Sequence, residues 1–197
     1  MQPGALDAYR VPNDMRQKIR AALADRIRHT LDDPSLTRAA VLIPLLFREG
    51  EWRVLVTLRT QDVEHHKGQI SFPGGACDPE DATLEATALR EAHEEIGIPP
   101  EAVEVLGALD DFPTITDFVV TPFVGIVRHP CPYRLNQSEV VEVIEVPLSF
   151  VREPGNLRVE QLEYKGQLHD VLFWDYGPHV IWGATARILK GFVDLLS

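Results

Sequence analysis

Two cysteines in 197 residues, Cys77 and Cys131, are too few to staple a small secreted domain. The chain does not need them, since at this length folding buries about 70% of the surface an unfolded chain exposes. Long hydrophobic runs are missing as well. The longest, Ala39–Phe47, is nine residues and contains Pro44, far short of the ~20 that a membrane span requires. The N-terminus lacks a charged-then-apolar leader, and Leu195-Leu196-Ser197 is no recognisable address. The expectation is a soluble cytoplasmic protein with no membrane partner. Positive charge is scarce: 19 Lys+Arg face 30 Asp+Glu, for a net charge of −11. That balance excludes the broad basic field of a non-specific nucleic-acid binder. A compact anionic ligand stays compatible, provided local positive charge or a bound cation receives it.

What the chain does have is globular composition, 45% hydrophobic and 25% charged, which argues against disorder or a fibrous repeat. Residues 1–12 read as a tail. Met15, Ile19, Leu23 and Ile27 recur at helical spacing and predict a helix from Asn13 or Asp14 to about Leu31, with Arg16, Lys18, Arg20 and Arg28 on a solvated face. This gives an N-terminal tail and helix over 1–38 and a main domain over 39–197. From Ala39 the pattern turns to strands: Ala39–Phe47 and Trp52–Leu58 as a hairpin, then Ile70–Phe72, Val103–Leu109, Phe118–Val127, Glu139–Val146, Val171–Trp174 and Val180–Trp182. Thr83–Ile96, closed by Gly97, and Gly183–Leu196 are helices. Strands and helices mix without βαβ alternation, so the fold class is α+β, a mixed sheet covered by helices.

The chemistry concentrates between Thr57 and Ile98. On a helical wheel Glu91, Glu94 and Glu95 share an arc of about 100°, with Leu89, Ala92 and Ile96 opposite. Like charges at i,i+3 and i,i+4 repel, and no Lys or Arg in the next turn relieves them. Oxygen ligands at this density suit a hard cation such as Mg²⁺ or Mn²⁺. A glutamate-rich helix face is by default merely solvated, but here Phe72-Pro73-Gly74-Gly75 precedes it. Paired glycines let the backbone come close to a ligand.

Together, the glycine loop and Arg90-Glu91-Ala92-His93-Glu94-Glu95-Ile96-Gly97-Ile98 resemble the signature of the Nudix hydrolases. One departure is that fourteen residues rather than thirteen separate Gly75 from Arg90, and the acidic residue between them is Asp81. Upstream, Leu55-Val56-Thr57-Leu58-Arg59 and His66-Lys67-Gly68-Gln69-Ile70-Ser71-Phe72-Pro73-Gly74-Gly75 resemble the coenzyme A pyrophosphatase subgroup. The longer loop fits that subgroup too. The likeness runs, more loosely, from Ala39 to Ala186.

The resemblance implies a Nudix fold and metal-dependent hydrolysis of coenzyme A, or its acyl or oxidised forms, to a 4′-phosphopantetheine product and adenosine 3′,5′-bisphosphate. It implies Glu91, Glu94 and Glu95 as ligands of Mg²⁺ or Mn²⁺, with a carbonyl of Gly74 or Gly75 completing the shell, and Arg90 holding Glu91 and the loop. Glu139, Glu142 and Glu145 are candidates for a general base, of which Glu142 is carried as the catalytic one. Arg59 and Lys67 are the expected contacts for a third phosphate, and His93 is expected to pack. The tract Asp110–Asp117 reads as a loop over the site. The resemblance admits a homodimer, which no residue pattern here demonstrates. The competing readings are a Nudix hydrolase of another nucleoside diphosphate derivative and a ligand-sensing domain that binds without cleaving.

Overall fold

The structure, a computed structural model, describes residues 11–60, 68–128 and 131–196. At its centre β1 (Thr37–Arg48) and β2 (Glu51–Arg59) form a hairpin across Glu49 and Gly50. Both turn residues have positive φ, 54° and 81°, the backbone a two-residue hairpin turn demands. Parallel pairing with β7 (Phe118–Val127), from Thr37↔Phe118 to Leu45↔Ile126, sets β1 in mid-sheet. This explains why its apolar run is continuous rather than alternating. On the far edge of β7 lie β5 (Val103–Ala108) and the short β6 (Phe112–Pro113), while β8 (Val140–Pro147) runs along the outer edge of β2.

β1 and β2 stay paired only from Leu45↔Val54 to Arg48↔Glu51, and then diverge. The chain after β2 fills the resulting wedge. β3 (Ile70–Ser71) pairs with Leu58 and Thr57, and β4 (Gly74–Ala76) pairs with Val41 to Ala39. Pro73 O accepts from Leu42 N at 2.9 Å between them. The glycine loop is therefore part of the sheet.

Helix α2 (Leu84–Ile96) covers one face of the sheet. Its Ala88 and Ala92 pack on Ala40, Leu42 and Phe123, and Ile96 packs against Leu46, Leu55 and Val140. The opposite face, with Ile43, Val54, Val56 and Val124, carries the larger core. It is closed by α1 (Asn13–Ala24), α4 (Gly183–Leu195) and a three-stranded antiparallel sheet of β9 (Leu157–Tyr164), β10 (Gln167–Tyr176) and β11 (His179–Trp182). A short α3 (Leu148–Arg152) links β8 to β9. A mixed sheet between helices is the α+β architecture expected.

Some expectations need correction. The first helix ends at Ala24, not near Leu31, and Ile27 is exposed. Residues 25–31 instead lie along the β5–β6 connection, where Arg26 donates to Asp110 at 2.7 Å and Arg28 to Asp111 at 2.5 Å. The helix's basic residues are not a free solvated face either: Arg16 and Arg20 pair with Glu104, and Lys18 donates to Leu196 O. β9 has no counterpart in the sequence reading. Most of its residues are exposed, so burial imposes no apolar alternation on them.

Candidate active site

Two local rules build the helix that carries the carboxylates. Thr83 caps its start, Oγ1 accepting from Ala86 N at 3.1 Å. Gly97 ends it in the left-handed conformation at φ 74°, donating to His93 O. Carbonyls left free in the last turn need donors. Glu95 O and Ile96 O find them in Asn136 N and Arg134 N, both at 2.9 Å. The chain entering β8 is thereby laid across the C-terminal end of α2. Asn136 Nδ2 then donates to Glu139 Oε1 at 2.8 Å, setting this carboxylate beside the helix, where its charge acts on both Glu91 and Glu95.

Glu95 is buried, 1% exposed, although it sits in a run of charged residues. Burial pushes its carboxyl up to about 7, eased by Arg59 and reinforced by Glu91 and Glu139. Arg59 Nη1 donates to its Oε1 at 2.9 Å, while its Oε2 is buried without a partner. Glu91 is also raised, by burial first, against the opposing pull of Arg90. Its carboxylate lies against Gly75, where any Cβ would come within 2.6 Å of Glu91 Oε1. Glu94 is the exposed member of the three.

Arg90 organises the loop around this helix. It grips Asp81 with two bonds of 3.0 and 2.9 Å, bonds Glu91 at 2.8 Å and Glu94 at 3.0 Å, and reaches Ala76 O at 3.3 Å. The guanidinium fork holds Asp81 well below the usual carboxylate range. Thr87 Oγ1 and Asp78 N complete the shell around Asp81. The carboxylate repulsion along the helix is thus relieved from within it, by the residue preceding Glu91. A search of the following turn alone misses this cation.

Not every expected site residue gathers here. Glu142 shares its strand face with Ile144 and Val146, which pack into the core opposite α2, and it lies 3.7 Å from His179 Nε2. Glu145 lies on the α2 face but is held by Arg48 and Tyr133. Among the three candidates, Glu139 is the one the fold brings to the helix. Arg59 points at Glu95 rather than outward, with its side chain 17% exposed. Lys67 lies outside the described residues, as does His66 of the upstream motif. His93 is exposed, not packed. Asp110 is paired with Arg26 and the buried Asp111 with Arg28, and the 110–117 segment runs along the β7 side of β1. β4 occupies the opposite edge of β1, so this tract does not cover the carboxylates.

As they stand, no three acidic, histidine or cysteine side chains among the described residues converge on one point. Arg90 and Arg59 hold the glutamates. Their donor chemistry nonetheless fits a hard divalent cation: oxygens only, one of them buried without a partner, beside a glycine that leaves room for a carboxylate.

The fold and this glycine-loop helix define a class, and comparison with known proteins agrees with it. A family model of the NUDIX domain matches residues 36–171. The Nudix hydrolase NudL of Enterobacter sp. (strain 638) is 43% identical over 153 residues, covering 78% of this chain and 79% of that protein. NudL of Cronobacter sakazakii is 42% identical over the same length. Among solved structures, a NUDIX hydrolase from Alicyclobacillus acidocaldarius superposes with a TM-score of 0.52 at 19% identity, over 81% of this chain and 91% of that one. The chain belongs to the Nudix hydrolase family.

Proposed function

We propose that the chain hydrolyses the diphosphate bond of coenzyme A or a derivative, releasing 4′-phosphopantetheine or its acyl form and adenosine 3′,5′-bisphosphate. Membership of the family supports hydrolysis of a nucleoside diphosphate derivative. The observation that carries the catalytic reading is Glu95, a buried glutamate with an unpartnered oxygen, one helical turn from the Glu91 that lies against the glycine loop. The choice of coenzyme A rests on the upstream Thr57-Leu58-Arg59 and His66-to-Gly75 segments. Two contacts of the described parts of these segments support that choice: Arg59 bonds Glu95, and Gly75 lies against Glu91.

Glu91, Glu94 and Glu95 would hold Mg²⁺ or Mn²⁺. The ion would supply neutralisation of the diphosphate and a more acidic water. The chain's own groups do the rest. Gly74 lets the loop pack against the backbone of β1, Gly75 makes room for the Glu91 carboxylate, and Arg90 keeps Glu91 and the loop in register. In this reading Glu139, rather than Glu142, takes the proton of the attacking water as its oxygen bonds phosphorus and the bridging P–O bond breaks; its position beside α2 supports the assignment. Lys67 is the remaining sequence-derived contact for the 3′-phosphate.

The test is chromatographic product analysis with Mg²⁺ or Mn²⁺ on coenzyme A, dephospho-coenzyme A, NADH and ADP-ribose. We expect adenosine 3′,5′-bisphosphate to appear fastest, and Glu95→Gln to abolish turnover. Cleavage of NADH or ADP-ribose but not coenzyme A would discard the substrate and keep the chemistry. No turnover of any of them would favour the binding-only alternative.

A further inference from the structure

We infer that Arg59 is a positioning residue for Glu95, holding that carboxylate ready for the cation, and is not a contact for the substrate's phosphates. This rests on the metal-dependent reading above and adds a residue to it.

The backbone around Arg59 is fixed from both sides. Arg59 N donates to Gln69 O at 3.0 Å, and Thr60 N donates to Glu139 O at 2.9 Å. Thr60 Oγ1 donates to Ser138 O, and Gly68 N to Thr60 O. The end of β2 is thus clamped between the approach to β3 and the segment that delivers Glu139. An irregularity in the β2–β8 ladder sits at this point: Leu58 opposes Glu142, Arg59 opposes Val140, and Val141 is left over. Bulges of this kind re-aim side chains near functional sites. Arg59 lies on the α2 face of β2, two residues beyond the buried Thr57 and four beyond Leu55, which packs against Ile96.

The contact itself is incomplete. An arginine and a carboxylate left to themselves pair through two parallel bonds. Here Nη1 meets Oε1 at 2.9 Å, while Arg59 Nε and Glu95 Oε2 are both buried without partners. One oxygen is tied down and the other is left bare. The groups nearest in charge are Glu91 and Glu139, so Arg59 stands among carboxylates. A phosphate-reading arginine would present its fork to solvent. This one is 17% exposed and is committed to a side chain that is 1% exposed. Removing it would leave Glu95 facing two like charges with nothing to fix its rotamer. Supports of this kind, bonded to a ligand rather than to the metal, typically set affinity on the order of 10- to 100-fold.

The experiment measures Mn²⁺ binding to the full chain without substrate, from the electron paramagnetic resonance signal of free Mn²⁺. It compares wild type, Arg59→Ala, Arg59→Lys, Glu95→Gln and the double variant Arg59→Ala/Glu95→Gln. Arg59→Ala should weaken Mn²⁺ on the order of 10-fold. Arg59→Lys should restore part of the loss, and Arg59→Ala should add little in the Glu95→Gln background. At saturating metal, the ratio of kcat/KM between coenzyme A and dephospho-coenzyme A should be unchanged in Arg59→Ala. Mn²⁺ affinity unchanged or tightened in Arg59→Ala overturns the inference. So does a tenfold fall in that ratio, which would make Arg59 a reader of the 3′-phosphate. If Arg59→Ala fails to fold, Arg59→Lys and Arg59→Gln carry the comparison. Wild type that binds Mn²⁺ yet leaves coenzyme A intact sinks the substrate reading alone, whereas wild type that binds no Mn²⁺ sinks the metal site and this inference with it.

Discussion

The glutamates of α2 differ more than their shared arc implies. Glu94 faces water, Glu91 lies half-buried against Gly75, and Glu95 is enclosed. That gradient has a consequence for stability. An acid whose carboxyl is raised from 4.5 to about 7 by burial holds its proton more tightly folded than unfolded. Its contribution is therefore complete below about pH 4.5 and is lost as pH climbs through about 7, to a limit of ~3 kcal/mol. Glu91 pulls in the same direction. Without metal, the melting temperature of wild type should fall between pH 5 and pH 8 relative to that of Glu95→Gln. Parallel melting curves would refute the assignment. The three glutamates were visible in the sequence because helical spacing is enough to collect them. Their ranking by exposure was not, since it depends on β2 ending underneath Glu95. Glu142 was misplaced for a similar reason. Strand alternation separates it correctly from Glu145 but cannot say which face will meet α2.

At the scale of elements, the wedge between β1 and β2 is what brings loop and helix together. The two glycines that fill it serve different neighbours. A Cβ on Gly74 would meet backbone, 2.4 Å from Ala40 O and 2.6 Å from Val41 Cα. One on Gly75 would meet the movable end of Glu91. Gly74→Ala should therefore cost stability, about 1–3 kcal/mol as overpacking does. Gly75→Ala should fold nearly as well as wild type but lose Mn²⁺ affinity and turnover by on the order of 10-fold, by analogy with disturbed metal-ligand supports. Urea midpoints beside Mn²⁺ titrations separate the two, and an equal loss of stability in both variants would contradict the distinction. Most elements were legible from their patterning. β1, β2, α2, β7 and α4 carry long apolar runs or clear caps. β4 and β6 were not, because at two or three residues they exist only through the neighbour they pair with.

For the whole molecule, the N-terminal segment is tied to the core. Ile19 is fully buried among residues of the sheet and α4, and Arg28 supports Asp111, a buried carboxylate that also accepts from Thr121 and Leu31 N. The family match begins only at residue 36, yet the described fold leans on what precedes it. Arg28→Ala takes the near cation from a buried carboxylate and leaves Arg38, 4.0 Å away, as its remaining ion pair; breaking a buried pair typically costs about 3–5 kcal/mol. Urea denaturation should show a loss near the lower end of that range, because two hydrogen bonds to Asp111 survive. A loss below about 0.5 kcal/mol, the level of an ordinary surface change, would mean the strap is incidental. A division of the chain at residue 38 follows from Asp32-Asp33-Pro34-Ser35, which breaks the helical pattern. Local pattern carries no sign that the arginines before the break answer aspartates some eighty residues later.

The glycine loop's place inside the sheet also bears on how the chain can change in length. Between Ser71 and Gly74 the backbone is committed to two strands at fixed registers, so an added residue would slip one of them and turn its side chains to the wrong face. Between Ala76 and Thr83 the chain is an exposed turn, bound mainly through Asp78 and Asp81. An extra residue there lengthens a surface excursion while Arg90 still reaches back to Asp81. Of the fourteen residues between Gly75 and Arg90, those from Ala76 to Thr83 can therefore absorb a change in length most easily.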